Sequence, residues 1–324
     1  MRDEKPGSME RAKALVERER QVLLQHREKL RGSAFPPVAP RESSFAHGFL
    51  LPFSLLVATM RQHVLGARLL TIVFVRAVVL AAVASVLFKE LHAPDVEGDD
   101  SWRGVIEHRW AWVVWYVTLL SLTEAAIAHL SRRYDEHLAW HIAAIARIRP
   151  EAAYPPVPGI SIGLGELYAK AKRFVRGYII LGMAAPALVF AAFLPFAGGI
   201  ISPLVIFAWT VYWFSVFGAG KTLHAYSDDA VAPPPRVFRE LLAITASTPW
   251  LSPFHRLSRL ATRIARSANA PAMAFARAPA AYLGFALARV VLSLPGLYSL
   301  SRPVIPVAAG RLFAESDPHG RFAV

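Results

Sequence analysis

Long apolar stretches alternate with charged segments along the chain, and this alternation predicts membrane-spanning helices. A helix needs ~20 mostly apolar residues to cross the hydrocarbon core of a bilayer. Four stretches meet this condition, at residues 69–88, 110–130, 177–197 and 200–218. A shorter apolar stretch at residues 45–60 cannot cross, so we expect it to lie at the cytoplasmic membrane interface.

The last apolar stretch, residues 280–313, is too short for two ordinary spans, which need more than ~40 residues with their turn. Pro295, Pro303 and Pro306 interrupt it. Non-helical backbone at membrane depth is tolerated only where protein or a water-filled cavity covers it. We therefore expect a proline-broken hairpin that enters from the cytoplasm and turns between Pro295 and Arg302. The fold class is all-α: a multi-pass helical membrane protein with four spans plus this re-entrant or short-helix hairpin.

The charged residues between the spans predict the orientation of the chain. The connection after the first span is mainly acidic, whereas the segments at 131–176 and after residue 220 are mainly basic. Because basic residues accumulate on the cytoplasmic side, we expect both termini in the cytoplasm. The net charge of +13 then belongs to these cytoplasmic segments and does not indicate nucleic-acid binding.

The chain divides into three parts on this interpretation. Residues 1–44 form a charged cytoplasmic helix and a proline-rich linker, residues 45–314 the membrane domain, and residues 315–324 a cytoplasmic tail. The helix at 9–31 carries charges of both signs all round, which leaves open a solvated helix or one that binds a partner.

A basic amphipathic helix is predicted around residues 256–266. Leucine, isoleucine and alanine share one face, and four arginines share the other: Arg256, Arg259, Arg263 and Arg266. Such a helix beside a membrane domain is typical of contact with anionic lipid headgroups, with a protein partner or nucleic acid as the alternatives. We expect Arg277 and Arg311 to contact headgroups as well.

Charged residues inside the apolar stretches are the candidates for function. Arg76 lies in the first predicted span and Glu124 in the second. A lone charge in a bilayer is costly, so we expect these two to pair, either as a structural lock or as part of an ion path. Arg289 and Arg302 flank the turn of the predicted hairpin. They either attract an anion there or, in the case of Arg289, pack against Glu124 or backbone carbonyls.

Catalytic and metal-binding motifs are weak in this sequence. The chain has no cysteine, which excludes disulfides and thiolate chemistry. Residues 217–222 read FGAGKT, but a phosphate-binding loop needs glycine at the position of Ser215 and a preceding strand. His137 and His141 stand one helical turn apart without a third ligand nearby, so we interpret them as interfacial histidines. We expect neither an enzyme, a metal nor a cofactor.

The C-terminal stretch resembles the signature of the CysZ-type sulfate permeases and the related etoposide-induced membrane proteins. The matching residues are Gly284, Phe285, Pro295, Pro303, Val304, Leu312 and Phe313. The resemblance extends more weakly over residues 45–313. It implies a bacterial inner-membrane protein with two long spans, further helix pairs that enter the membrane only partly, an oligomeric assembly, and passage of sulfate or a similar anion.

These observations together predict a small-anion, sulfate-like permease or channel. Its transport candidates are Arg76, Glu124, Arg289 and Arg302. Its expected partners are the lipid bilayer with anionic lipids, a small anion and further copies of the chain, but not nucleic acid. The alternative is a non-transporting membrane scaffold or accessory subunit of a membrane complex, which the charged N-terminal helix and the basic amphipathic helix favour.

Overall fold

A computed structural model describes the protein at residues 36, 38, 44–90, 102–149, 156–160, 164–182, 198–220, 233–248, 252–294 and 296–317. The regular elements within these ranges are helices. Three predicted features lie outside the described residues: the charged helix at 9–31, the centre of the acidic connection at 91–101, and residues 183–197 of the third predicted span.

The first three helices are α1 (Phe45–Arg61), α2 (His63–Glu90) and α3 (Trp102–Leu130). α1 begins where the side chain of Ser44 accepts a hydrogen bond from the backbone N–H of His47 at 3.2 Å, as an N-cap residue does. α2 and α3 contain no proline to interrupt them. Both can cross a membrane, and only 11% of the most apolar window of each is buried within the protein. The first two predicted spans are confirmed.

The chain continues through α4 (Arg132–Ile145), α5 (Leu164–Gly182) and α6 (Gly198–Ala219). α4 is short, and its second half, residues 140–145, is buried. α6 contains the window Ser202–Ala219, which is long and apolar enough to cross a membrane and confirms the fourth predicted span. Of the third predicted span, only residues 177–182 are described, at the end of α5.

The next helices are α7 (Arg236–Ser247), α8 (Ser252–Ile264), α9 (Asn269–Arg277) and α10 (Pro279–Leu292), with a 3-10 turn at Ala265–Ala268 between α8 and α9. α8 is the predicted basic amphipathic helix. α9 and α10 together are long and apolar enough to span, but they meet at an angle of 113°. Such a pair is either a broken span or a re-entrant loop.

The C-terminal hairpin consists of α10, the short α11 (Leu297–Ser301) and α12 (Val304–Ser316). The chain turns after α10 with Gly296 at φ 84°, a left-handed conformation that glycine adopts without strain. Pro303 then precedes the first residue of α12. The turn therefore lies in the predicted interval, whereas Pro306 lies in the first turn of α12 and does not interrupt it.

Within the described ranges, three helices are long and apolar enough to cross a membrane, or four if the bent pair counts as one span. The protein is an all-α membrane protein. Its packed body lies among the short helices α1, α4, α10 and α12, where Leu55, Ile142, Phe285 and Leu312 are buried. The long helices α2 and α3 instead present most of their apolar surface outward.

α1 and α10 cross in direct backbone contact at two glycines. A Cβ on Gly48 would lie 1.9 Å from the carbonyl oxygen of Ala281, and a Cβ on Gly284 would lie 2.1 Å from that of Phe45. Small residues are what allow helices in membranes to approach this closely. The crossing fixes the first arm of the C-terminal hairpin against α1.

α4 ends in a turn that places a non-glycine residue in the left-handed region. The N–H of Ile148 donates to the carbonyl of Ala143 at 3.0 Å, and Arg147 has φ 53°. This is the hydrogen-bond pattern with which glycine usually ends a helix. The position costs backbone strain, because a Cβ is disfavoured there.

Candidate functional site

Arg76 of α2 is buried, with only 3% of its surface exposed. Its Nη2 donates to Asp135 Oδ1 at 2.8 Å, and its Nε donates to the hydroxyl of Ser131 at 2.9 Å. The predicted direct pair with Glu124 is therefore wrong. The chain turns from α3 into α4 immediately beside Arg76, and this turn supplies a closer carboxylate.

Glu124 of α3 is also buried and holds the tip of the C-terminal hairpin. It accepts hydrogen bonds from the N–H of Ser299 at 3.1 Å, from the hydroxyl of Ser299 at 2.7 Å and from the N–H of Gly296 at 3.3 Å. Nη1 of Arg76 reaches the carbonyl of the same Ser299 at 3.5 Å. Arg76 and Glu124 therefore both bond to Ser299 at the hairpin tip and do not pair directly.

Asp135 is the buried carboxylate of this cluster that the sequence analysis did not identify. Its Oδ2 lies 3.1 Å from Nε of Arg302, so one carboxylate bridges the guanidinium groups of Arg76 and Arg302. Burial raises the pKa of Asp135, and the two arginines only partly offset that rise. A signal was present in the sequence: Asp135 shares the apolar face of α4 with Leu138 and Ile142, both of which are buried.

Arg289 of α10 lies against the end of α6. Its guanidinium stands 5.1 Å from the ring centroid of Phe214, and a Cβ on Gly218 would be 3.0 Å from its Nη1. Nη1 is buried and has no hydrogen-bond partner among the described residues. The expected alternative, packing of Arg289 against Glu124, is not found, since Glu124 is occupied by the hairpin tip.

Arg302 follows α11 at the tip of the C-terminal hairpin. Its guanidinium is 5.9 Å from the Tyr298 ring centroid. Nη1 of Arg302 is buried without a hydrogen-bond partner among the described residues, as is Nη1 of Arg289. Two incompletely bonded guanidinium groups therefore occur in the C-terminal hairpin.

A second buried network joins the two ends of the membrane domain. Arg311 donates to Glu315 Oε1 at 2.7 Å, to the carbonyl of Ala146 at 2.7 Å and to the carbonyl of Pro36 at 3.1 Å. His47 Nε2 lies 2.7 Å from the other carboxylate oxygen of Glu315. Burial would raise the pKa of Glu315, but the hydrogen bonds from His47 and Arg311 hold it below its ordinary value.

The prediction that Arg311 contacts headgroups is wrong. Arg311 is 2% exposed, because α12 returns into the body of the protein between α1 and α4. Arg277 is exposed, and its Nη1 stands 4.0 Å from Asp317.

The other residues singled out from the sequence are two histidines of α4 and the arginines of the basic amphipathic helix. Nδ1 of His137 lies 3.1 Å from the carbonyl oxygen of Pro156, and the rings of His137 and His141 are 5.0 Å apart in an edge-on arrangement. No group of three metal-ligating side chains occurs among the described residues. The four arginines of the basic amphipathic helix are exposed: Arg256, Arg259, Arg263 and Arg266.

No protein-family model, curated protein or solved structure matches this chain. The resemblance to sulfate permeases stays a prediction, and function rests on the buried charges.

Proposed function

We propose that this membrane protein is a small-anion permease or channel and that Arg289 and Arg302 bind the anion beside Tyr298. The observation that carries the proposal is the pair of buried Nη1 groups without a hydrogen-bond partner among the described residues. A buried charged donor left unsatisfied costs more than the ~1–3 kcal/mol of a neutral one. Such donors favour a bound acceptor, and an anion supplies acceptor atoms and charge together.

The balance of charge in the cluster supports an anion rather than a cation. Arg76, Arg289 and Arg302 contribute three positive charges, whereas Asp135 and Glu124 contribute two negative ones. One positive charge therefore lacks a counter-charge within the cluster. Anion-conducting pores use arginine and lysine in this way.

The four predicted transport candidates divide into two roles on this proposal. Arg76 and Glu124 are fully engaged with Ser131, Asp135 and Ser299, so they fix the hairpin tip. Arg289 and the free edge of Arg302 contact the anion. Interrupted helices at membrane depth are where transporters place their substrate sites.

A tetrahedral oxyanion such as sulfate fits this arrangement better than a halide does. A guanidinium presents its N–H groups as a planar fork that matches two oxygens of one ligand. Two such groups, on Arg289 and Arg302, can each engage different oxygens of one ligand. The sulfate-like substrate predicted from the sequence resemblance is consistent with this chemistry.

The test is uptake of radiolabelled sulfate into proteoliposomes that contain the full chain. Arg289→Gln removes the charge but keeps a side chain of similar reach, and we expect it to lower the sulfate flux at least ~10-fold, which corresponds to ~1.4 kcal/mol. Arg289→Lys keeps the charge without the fork and should retain part of the flux. Arg236→Gln is the matched control, since Arg236 is an exposed arginine of α7.

Arg289 is the better target because Arg302 shares Asp135 with Arg76, so its removal would also loosen the hairpin tip. Thermal unfolding in detergent should be the same for the wild type, Arg289→Gln and Arg236→Gln. Sulfate flux equal to that of empty vesicles would overturn the proposed function. Flux that persists unchanged in Arg289→Gln would overturn the assignment of the site.

A scaffold or accessory subunit is the second candidate, and one observation favours it. Arg76, Asp135 and Glu124 are bonded within the chain, and the Arg311 network joins the two ends of the domain. Such bonding suits a rigid framework that need not move. The absence of sulfate flux, together with a stoichiometric partner that remains bound through purification, would support this candidate over the permease.

A further inference from the structure

The α7–α8 pair packs on the end of the α6 span. Phe238 of α7 and Ala261 of α8 are buried in one cluster with Trp213 and Val216 of α6. Trp213 lies six residues beyond Phe207, which is about 9 Å along the helix axis. Phe207 is among the most exposed apolar residues of the α6 span. The pair is therefore held at the edge of the lipid-facing band of α6.

Both helices of the pair leave large apolar side chains uncovered by the described residues. On α7 these are Leu241 and Ile244; on α8 they are Phe254 and Leu260, which are 50% and 52% exposed. Exposed leucine, isoleucine and phenylalanine at the end of a span differ from the polar surface expected of a purely solvated helix pair. They mark a surface that something apolar covers.

Four exposed arginines accompany these apolar side chains: Arg256, Arg259, Arg263 and Arg266. None of them forms an ion pair with a carboxylate of the described residues, and α8 itself contains no acidic residue. The single acid of α7, Glu240, is paired with Arg236 at 2.8 Å. The positive charge of α8 is therefore available to an external anionic partner.

We propose that the α7–α8 surface rests on the headgroups of anionic lipids at the end of α6. The guanidinium groups meet the lipid phosphates, while Leu260 and its apolar neighbours enter the boundary between headgroups and acyl chains. Nucleic acid would engage the arginines but leave the apolar side chains exposed. A bilayer engages both, and α6 already brings the pair to it.

The absence of cysteine from the chain gives a direct test in the intact protein. Leu260→Cys is labelled with an environment-sensitive fluorophore, and the protein is placed in nanodiscs of phosphatidylcholine alone or mixed with phosphatidylglycerol. We expect a blue-shifted emission, quenched by spin-labelled acyl chains, that strengthens with phosphatidylglycerol. A label at Arg239→Cys, an exposed position on the side of α7 away from Leu241 and Ile244, should show neither response.

Charge variants separate lipid attraction from folding. Replacing Arg256, Arg259, Arg263 and Arg266 by glutamine should abolish the dependence on phosphatidylglycerol, whereas replacing them by lysine should preserve it. Emission from Leu260→Cys that is identical in both lipid compositions, or unchanged by the glutamine substitutions, would overturn the proposal. A blue shift found only in nanodiscs that hold two protein copies would also overturn it, because a second copy would then cover the surface.

Discussion

The crossing of α1 and α10 makes a quantitative prediction about Gly48 and Gly284. Replacing Gly48 with alanine puts a Cβ 1.9 Å from the carbonyl oxygen of Ala281, whereas ordinary contact begins at 3.4 Å, so the helices must separate by about 1.5 Å. The obstructing atom belongs to the backbone of a helix and cannot rotate away. Gly284→Ala meets the same problem, with its Cβ 2.1 Å from the carbonyl oxygen of Phe45.

The cost follows from packing. A gap of 0.5–1 Å already forfeits about a quarter to a half of each van der Waals contact. Overpacking in a well-packed core costs ~1–3 kcal/mol and sometimes more, so we expect about 3 kcal/mol for Gly48→Ala and for Gly284→Ala. The double variant should cost little more than either single variant, because one separation of the helices relieves both clashes.

Reversible unfolding in mixed micelles of dodecyl sulfate and a mild detergent, followed by circular dichroism, measures these free energies. Gly177→Ala is the control, since its Cβ would meet only ring atoms of Phe217 at 3.7 Å or more. Alanine in place of a helical glycine then stabilises by ~0.5–1 kcal/mol. If Gly48→Ala and Gly284→Ala unfold at the same detergent composition as Gly177→Ala, the close crossing is refuted.

Three further predictions use the same unfolding measurement. Asp135→Asn leaves two buried arginines without their carboxylate and should cost ~3–5 kcal/mol in free energy of unfolding. Glu124→Gln should cost clearly less, because its amide oxygen still accepts hydrogen bonds from the hairpin tip. Equal costs would contradict the bridging role of Asp135. Glu315 has a pKa below its ordinary value of 4.5, so the stability it contributes is present above that pH and is lost as the pH falls through the folded-state value. The difference between wild type and Glu315→Gln should therefore shrink in acid, and a constant difference would count against the network. Arg147→Gly should gain ~1 kcal/mol by relieving left-handed strain, and Arg147→Ala, which keeps the Cβ, should not.

The spans and the hairpin were predictable because length and proline position are local properties of the sequence. The apolar lengths of α2, α3 and α6 identify them without any tertiary information. Pro303 lies at the end of the break, as the N-cap residue of α12, because a proline cannot continue a preceding helix but is tolerated at a helix start. The bend between α9 and α10 was not predicted, since Pro279 lies at a helix start, where proline is tolerated.

The partners of the buried charges were harder to predict. Arg76 and Glu124 are the charges inside the first two predicted spans, so the sequence favours pairing them with each other. Asp135 lies just beyond the second span, among basic residues, and only its place on the apolar face of α4 marks it as buried. A charged residue on the apolar face of a helix is therefore a candidate buried charge, as is a charged residue within a predicted span.

The sequence around a residue does not reveal which distant part of the chain that residue contacts. Arg311 contacts the carbonyl of Pro36 across 275 positions of the chain, and nothing near Arg311 in the sequence distinguishes it from a headgroup-binding arginine. The contact between Gly48 and the backbone around Gly284 likewise depends on the register of two distant helices. From the sequence alone, a glycine in an apolar helix is equally consistent with close helix packing and with local flexibility.

The hydrogen bonds between Glu124 and Ser299 also constrain the order in which the protein assembles. The two residues are 175 positions apart, so α3 is synthesised long before the hairpin tip that neutralises its carboxylate. Until then, Glu124 stands in an apolar helix without the donors that later satisfy it, an arrangement that bilayers tolerate poorly. The hydrogen bonds that satisfy Glu124 can therefore form only after the C-terminal hairpin has been synthesised. A chain truncated before Ser299 would leave Glu124 without these hydrogen-bond donors, and we expect membrane quality-control proteases to degrade it.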